Sequence, residues 1–291
     1  MSEMVKPVAD ILKAPAPHMV GDAFRVHNFF PGGYKIKMSP FFLLDYNAKI
    51  NFSARNEPRG VGVHPHRGFE TVTIVYKGAL AHHDSAGNSG KIYPGDVQWM
   101  TAASGILHKE YHEQEFSNTG GDFQIVQLWV NLPAKYKMIK PKYQGLQHSA
   151  IPTLTLADGA SNVEVIAGEF QGVKGAASTF SPMEVYNLKL KAGASLQLNL
   201  PANYNTGLLV VEGNIKINQS SDAQQDQFVH FKNEGTEITV EAIQDSVILL
   251  LSGEPIQEPI ASYGPFLMNR PEEIQQALAD YNEGKFGYLE E

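Results

Sequence analysis

Two short histidine pairs carry the chemistry that the sequence offers: His64-Pro-His66 and His108-Lys-Glu110. Side chains alternate along a β-strand, so residues two apart share a face. Each pair therefore aims two donors in one direction. On neighbouring strands the pairs would converge as three imidazoles and one carboxylate, a nitrogen–oxygen set that suits iron, manganese, cobalt, nickel, copper or zinc. Up to two positions of an octahedral shell would stay open for exchangeable ligands, which points to catalysis or sensing. A lone His-x-His is more often a surface or hydrogen-bonded pair. The second pair, preceded by Gly95-Asp96 and Gly105, is what tips the reading toward a metal.

Other groups compete for places around such an ion. If the extended chain runs unbroken from His64, then His64, His66, Glu70, Val72 and Ile74 share one face, and the apolar pair says that this face points inward. Glu70 is then expected to orient an imidazole rather than to bind the ion. His82 and His83 are adjacent, so at most one faces the site; they precede Asp84, Ser85, Gly87, Asn88 and Gly90, which read as a hairpin loop. His82 is kept as a pocket candidate. His112 continues the parity of His108 and Glu110, but the polar residues after it suggest a strand reaching solvent. No nucleophile elbow, phosphate loop, dinucleotide fingerprint or His-Glu-x-x-His motif is present.

These residues must be held by strands. Short β-rich runs recur between Gly, Pro, Asn and Asp, at Glu70–Tyr76, Phe123–Val130, Val185–Leu190, Gly207–Glu212, Glu237–Val240 and Ser246–Leu251, the pattern of sandwiches or barrels. One strong helix is predicted near the end. Asn269 and Glu272 resemble an N-terminal cap, Pro271 suits the first turn, Ile274, Leu278 and Tyr281 form a stripe, and Gly284 ends it. The segment Leu132–Pro152, with Lys135, Lys137, Lys140 and Lys142, reads as a solvated linker rather than an anion-binding strip. Residues 1–134 and 151–291 are accordingly the expected domains, joined by 135–150. The segments His64–Gly78 and Asn199–Gly213 echo each other, each ending in a β-branched run and Gly, which fits two similar β domains in tandem. Asn199 and Pro201 stand where the first two histidines would fall, so the site is not repeated.

Composition narrows the classes. At 291 residues, two domains are the default, and a 43% hydrophobic content supplies two cores. The net charge of −8 argues against direct nucleic-acid binding. With no cysteine, thiolate metal sites, iron–sulfur clusters, disulfides and cysteine nucleophiles are excluded. The N-terminus lacks a signal-peptide pattern and no stretch approaches a membrane span, so a cytosolic location is expected, or a nuclear one in a eukaryote.

The segments HPHRGFETVTIVYKG, GKIYPGDVQWMTAASGILHKE, QLWVNLPAKYKM and YGPFLMNRPEEIQQALADYNEGKFG together resemble the pirin family of the cupin superfamily. The likeness spans most of the chain; Ala103-Ser104 departs from the glycine and polar residue usual there. It implies an all-β fold of two tandem cupin barrels with a short C-terminal helix. It also implies one Fe(II) in the N-terminal barrel on His64, His66, His108 and Glu110, and none in the other. Pirins draw their carboxylate from the second motif, which weakens Glu70 as a ligand. Because pirins resemble quercetinases, the resemblance further implies a quercetin 2,3-dioxygenase that cleaves a flavonol with dioxygen and releases carbon monoxide, with Glu110 as base. Phe69, Trp99 and Met100 are then expected pocket walls for a flat aromatic substrate. The alternative the resemblance offers is a non-catalytic metalloprotein that binds a protein partner, a transcription regulator or a metabolic enzyme. Neither reading involves a membrane.

Overall fold

Alternating apolar runs closed by turn residues become antiparallel strands in the structure, a computed structural model that describes residues 4–291. Each run singled out above lies within a strand: Phe69–Lys77, Gly121–Asn131, Met183–Leu190, Asn205–Glu212, Glu237–Ala242 and Ser246–Gly253. The strands form two units. The histidine-rich unit comprises Ala16–Asn28, Phe41–His148 and Ile256–Glu291; the other comprises the chain up to Pro15, Phe29–Pro40 and Ser149–Pro255.

In the histidine-rich unit a seven-stranded sheet runs in the order Lys142–Leu146, Val97–Thr101, Phe69–Lys77, Gly121–Asn131, Phe41–Phe52, Phe24–Asn28, His18–Val20. A four-stranded sheet runs Gly60–His66, Ile106–His112, Leu80–Asp84, Ser89–Ile92. Val75, Phe123 and Ile125 from the first sheet pack on Leu80 and Ile92 from the second, closing the pair into a barrel. The other unit repeats the plan. Its four-stranded sheet, Ser195–Asn199, Glu237–Ala242, Asn214–Ile217, Ser221–Gln224, takes its strands in the same relative chain order. The two echoing segments fall on matching strand pairs, Gly60–His66 with Phe69–Lys77 and Ser195–Asn199 with Asn205–Glu212.

The cores differ where it matters. In the second barrel Leu196 and Leu198, with Ile238 and Val240 on the paired strand, belong to one continuous buried apolar cluster. Each such side chain stabilises by about 1.5–3 kcal/mol when fully buried. The matching strands of the first barrel carry His64, His66, His108 and Glu110 instead. Buried polar groups in that place cost stability unless something satisfies them.

Three sequence expectations change. The units are not contiguous, because the described residues up to Pro15, with Phe29–Pro40, serve the second barrel and Ile256–Glu291 serves the first. Strand Val8–Lys13 pairs with Gln227–Phe231, which explains the first exchange. The expected linker is not simply solvated either. Lys142–Leu146 pairs with Val97–Thr101 as an edge strand. Lys137 is buried, and its amine donates to the carbonyls of Gly68 (2.7 Å) and Leu267 (2.9 Å) and to Asn131 Oδ1. Burial lowers that ammonium to about 7. Finally, the helix Pro271–Asn282 is capped one residue later than expected. The Glu273 carboxylate accepts from the Arg270 and Asn269 backbone N–H groups at 2.9 and 3.0 Å. Its buried face is Ile274, Ala277 and Asp280, whereas Leu278 and Tyr281 are exposed, because Asp280 is drawn inward by Arg67. Gly284, at φ +74°, follows the helix. No described helix is long and apolar enough to cross a membrane.

Candidate metal centre

Pairing places the two histidine motifs side by side. His108 stands opposite His64 and Ile106 opposite His66; on the other edge of the same strand, Glu110 stands opposite His82 and His108 opposite Asp84. The register slips between His108 and Glu110 on the His64 side, a bulge of the kind that re-aims side chains. Ring centroids lie 4.2 Å apart for His64 and His108, 4.7 Å for His66 and His108, and 4.9 Å for His64 and His66.

Donor atoms of His64, His66 and His108 all lie within 4.8 Å of one another, and so, separately, do those of His82, His108 and Glu110. Donors on opposite sides of an ion at about 2.1 Å stand about 4.2 Å apart. Each group is thus compact enough for small side-chain shifts to bring its donors onto one ion. Of the four expected ligands, the structure brings three histidines together and joins Glu110 to them through His108. Glu110 is held on its own side, accepting from Gln127 Nε2 (2.9 Å) and Thr73 Oγ1 (3.4 Å).

The donors fit a divalent ion by their protonation and by what they lack. Burial, then the neighbouring imidazoles, pushes His66 and His108 well below the usual histidine range, so both present lone pairs at neutral pH. Both ring nitrogens of His108 and Nδ1 of His66 are buried without a hydrogen-bond partner. Such orphaned groups are uncommon in folded proteins, and a bound ion or water is one way they are satisfied. His64 Nδ1 lies 2.8 Å from the Gly62 carbonyl, which leaves Nε2 for the cluster. Among the described residues, both potential ligand groups lie in this barrel.

The remaining candidates divide by strand face. Phe69 lies 5.0 Å from the His66 ring. Met100 packs with Tyr143, which in turn stacks on His82 at 5.4 Å and 17°. His82 is fully buried on the strand Leu80–Asp84, not in the following turn, while His83 points the other way and meets the Tyr111 hydroxyl at 2.7 Å. Glu70 and Trp99 do not face the cluster. The chain breaks at Gly68, φ +91°, so Gly60–His66 and Phe69–Lys77 enter different sheets and parity is reset. Thr73 meets Glu110, so Glu70 and Val72 occupy the opposite face, across from Thr101 and Trp99. Glu70 Oε1 accepts from Thr101 Oγ1 at 2.7 Å. His112 does not reach solvent: Phe52, Phe116 and Phe123 enclose it with ring centroids 4.7–5.1 Å away. Phe116 comes from the short helix Gln114–Thr119 that follows.

Sequence reading missed Thr73, Gln98, Gln127, Trp129 and Tyr143. Trp129 lies 5.3 Å from His66. Gln98 sits across from Thr73, with both amide atoms buried and unpartnered. A signal existed for Gln127: one polar residue inside the apolar strand Ile125–Trp129 marks a face that needs a polar partner.

Glu70 yields a separable test. Burial raises its carboxyl to about 7, against the opposing pull of the Thr101 hydroxyl. Below its ordinary value near 4.5 it is neutral folded or unfolded, and costs nothing. Between 4.5 and 7 the unfolded chain ionises first, so stability falls as pH rises, and above 7 the penalty is full. Glu70→Gln removes this, and unfolding curves at pH 4.5 and 8 should show a gain of roughly 3 kcal/mol confined to the higher pH, with metal content unchanged. A pH-independent difference, or loss of metal, would contradict this placement.

A ligand cluster inside one of two double-stranded β-helices defines a two-barrel cupin. The pirin family model matches residues 23–130, and that of the pirin C-terminal cupin domain matches residues 185–287. The chain belongs to the pirin family. It is 38% identical to human pirin over 257 residues, 86% of this chain and 84% of that one. It is 47% identical over 272 residues to a Pseudomonas aeruginosa protein provisionally named quercetin 2,3-dioxygenase, covering 92% of this chain and 94% of the relative. A crystal structure of quercetin 2,3-dioxygenase from Acinetobacter baumannii superposes with a TM-score of 0.94 at 45% identity, covering 98% and 99% of the two chains.

Proposed function

We propose that this pirin is an iron-dependent quercetin 2,3-dioxygenase, with His64, His66, His108 and Glu110 as the iron's protein ligands. The observation that carries the reading is the cluster of three imidazoles, two of them buried with unpartnered ring nitrogens, joined through His108 to a carboxylate. The names of the relatives supply the substrate class, a flavonol, and the co-substrate, dioxygen. When bound, the metal would supply Lewis acidity toward the flavonol 3-hydroxyl and a partner for dioxygen.

The chain's own residues supply the rest. Glu110 accepts the 3-hydroxyl proton on a carboxylate oxygen, at the moment it exchanges the Gln127 or Thr73 hydrogen bond for that proton. Phe69 and Trp129, 4.3 Å apart, form an apolar wall beside His66 on which a flat ring can lie. Met100 and Tyr143 line the side beyond His82. The burial of His66, His82, His108 and Glu110 keeps bulk water from competing for the proton. Dioxygen ends in the two carbons of the opened ring, and the carbon between them leaves as carbon monoxide.

The test is anaerobic iron reconstitution followed by flavonol and air, with loss of flavonol absorbance and headspace carbon monoxide measured together. Turnover proportional to iron is expected. Elemental analysis should give one tightly held equivalent per chain; two surviving extensive dialysis would refute a single site. His108→Ala, which strikes both ligand groups, should empty the protein of metal. Asn199→Ala, in the second barrel, should leave metal content as it is.

A further inference from the structure

His82 is placed as a ligand is placed. It lies directly across the ladder from Glu110, its ring centroid is 5.5 Å from that of His108, and it has no solvent exposure. Asp84, itself buried, sets Oδ2 3.5 Å from His82 Nε2, too long for a full hydrogen bond but close enough to orient the ring. The Ala86 and Asn88 backbone amides and the Asn88 side chain hold that carboxylate at 2.9–3.1 Å. Tyr143 stacks on the imidazole face. Metal-binding histidines characteristically turn one ring nitrogen to a carboxylate, which fixes the ring and frees the other nitrogen. Nε2 of His82 faces only Asp84, and Nδ1 has no hydrogen-bond partner. A buried imidazole braced by a carboxylate, with an idle lone pair within 4.8 Å of donors on His108 and Glu110, lacks only an ion.

We propose that the pocket has a second metal station, His82–His108–Glu110, alongside His64–His66–His108. Because the stations share His108, one ion serves both. This deepens the dioxygenase reading and rests on it in one respect: the ion's position sets the role of Glu110. On the first station Glu110 is the exchangeable fourth ligand, with Gln127 and Thr73 to hold it when it leaves the ion to take a proton. On the second it is a fixed ligand, with His82 in place of His64 and His66.

The test is metal binding rather than turnover. The full-length chain, stripped with chelator, is titrated with Co(II), following visible ligand-field absorption and bound equivalents, with thermal melting as the check on folding. His64→Ala/His66→Ala should still take up one equivalent at reduced affinity and with an altered spectrum. Adding His82→Ala should weaken binding by at least about 10–100-fold more, the loss that even an outer partner of a ligand causes. No binding by a folded double variant, or equal binding after His82 is removed, overturns the second station. Should the double variant fail to fold, His82→Ala alone decides: the Co(II) spectrum should shift from that of the parent, and an unchanged spectrum overturns the proposal. The two readings fail separately. A metallated parent without flavonol turnover refutes the dioxygenase and leaves the station standing; an active parent with a metal-free double variant does the reverse.

Discussion

Replacing Glu110 with Gln is expected to lower flavonol cleavage per bound metal by about 10²–10⁴-fold, the usual contribution of a positioned base, while much of the metal stays. Three neutral imidazoles retain a divalent ion in other enzymes without a carboxylate. His64, His66 and His108 already stand close enough to do so. The amide also fits the site. Its oxygen can accept from Gln127 Nε2, and its NH₂ can face the Thr73 hydroxyl, which accepts as well as donates. What the substitution removes is basicity. The measurement is carbon monoxide release normalised to iron content. Parental turnover per iron in the variant would refute the base role. A fully metallated parent that turns over no flavonol would favour a metal-dependent protein that binds a partner.

Arg67→Ala is expected to destabilise the histidine-rich barrel by about 3–5 kcal/mol, the cost of removing one member of a buried ion pair. Arg67 is 4% exposed and Asp280 7%. Their guanidinium and carboxylate meet at 2.8 Å, Arg67 Nε donates to the Ser104 carbonyl at 2.7 Å, and the cation lies 4.7 Å from the Phe286 ring centroid. Lys285, followed by Arg67 and Gln276, holds the Asp280 carboxyl well below the usual range, so it stays charged when its partner is gone. Lys285 is half exposed and can offset only part of the loss. Arg67 follows His66 directly, so metal affinity should fall with stability. Denaturant unfolding of the metal-free chain isolates the first effect. A change below about 1 kcal/mol would show that the pair is dispensable.

The spacing of His64, His66, His108 and Glu110 was legible because two-residue periodicity survives within one strand, and both pairs lie within one. It failed across Gly68, where a single positive-φ residue reset which face Glu70 occupies. Trp99 went with it, because it stands opposite Val72, which shares the face of Glu70. His82 was legible only as half of an adjacent pair; which half points inward depends on register with Ile106–His112, a non-local fact. The same holds for Gln127 and Tyr143, which reach the pocket from strands far along the chain. His112 read as solvent-bound because its enclosure comes from Phe52 and Phe116, on other elements. The barrel class was legible from strand density and turn residues. The exchanged ends were not, because nothing in the local pattern of Val8–Lys13 says which sheet edge it will join.

Those exchanged ends govern the order of assembly during synthesis. The bulk of the barrel that holds the histidine cluster, Phe41–His148, is made before the bulk of the other, Ser149–Pro255, yet its closing segment Ile256–Glu291 follows both. Arg67 waits for Asp280, Lys137 waits for the Leu267 carbonyl, and Ser85 waits for the carbonyl of Phe286. Contacts spanning more than a hundred residues pay their loop-closure entropy before they return any stability, which makes such folding slow. Until the helix Pro271–Asn282 docks, these contacts to the barrel of His64, His66, His82 and His108 are expected to be unmade. An intact ligand cluster is therefore expected to depend on docking of Ile256–Glu291, and not on the appearance of its ligands alone.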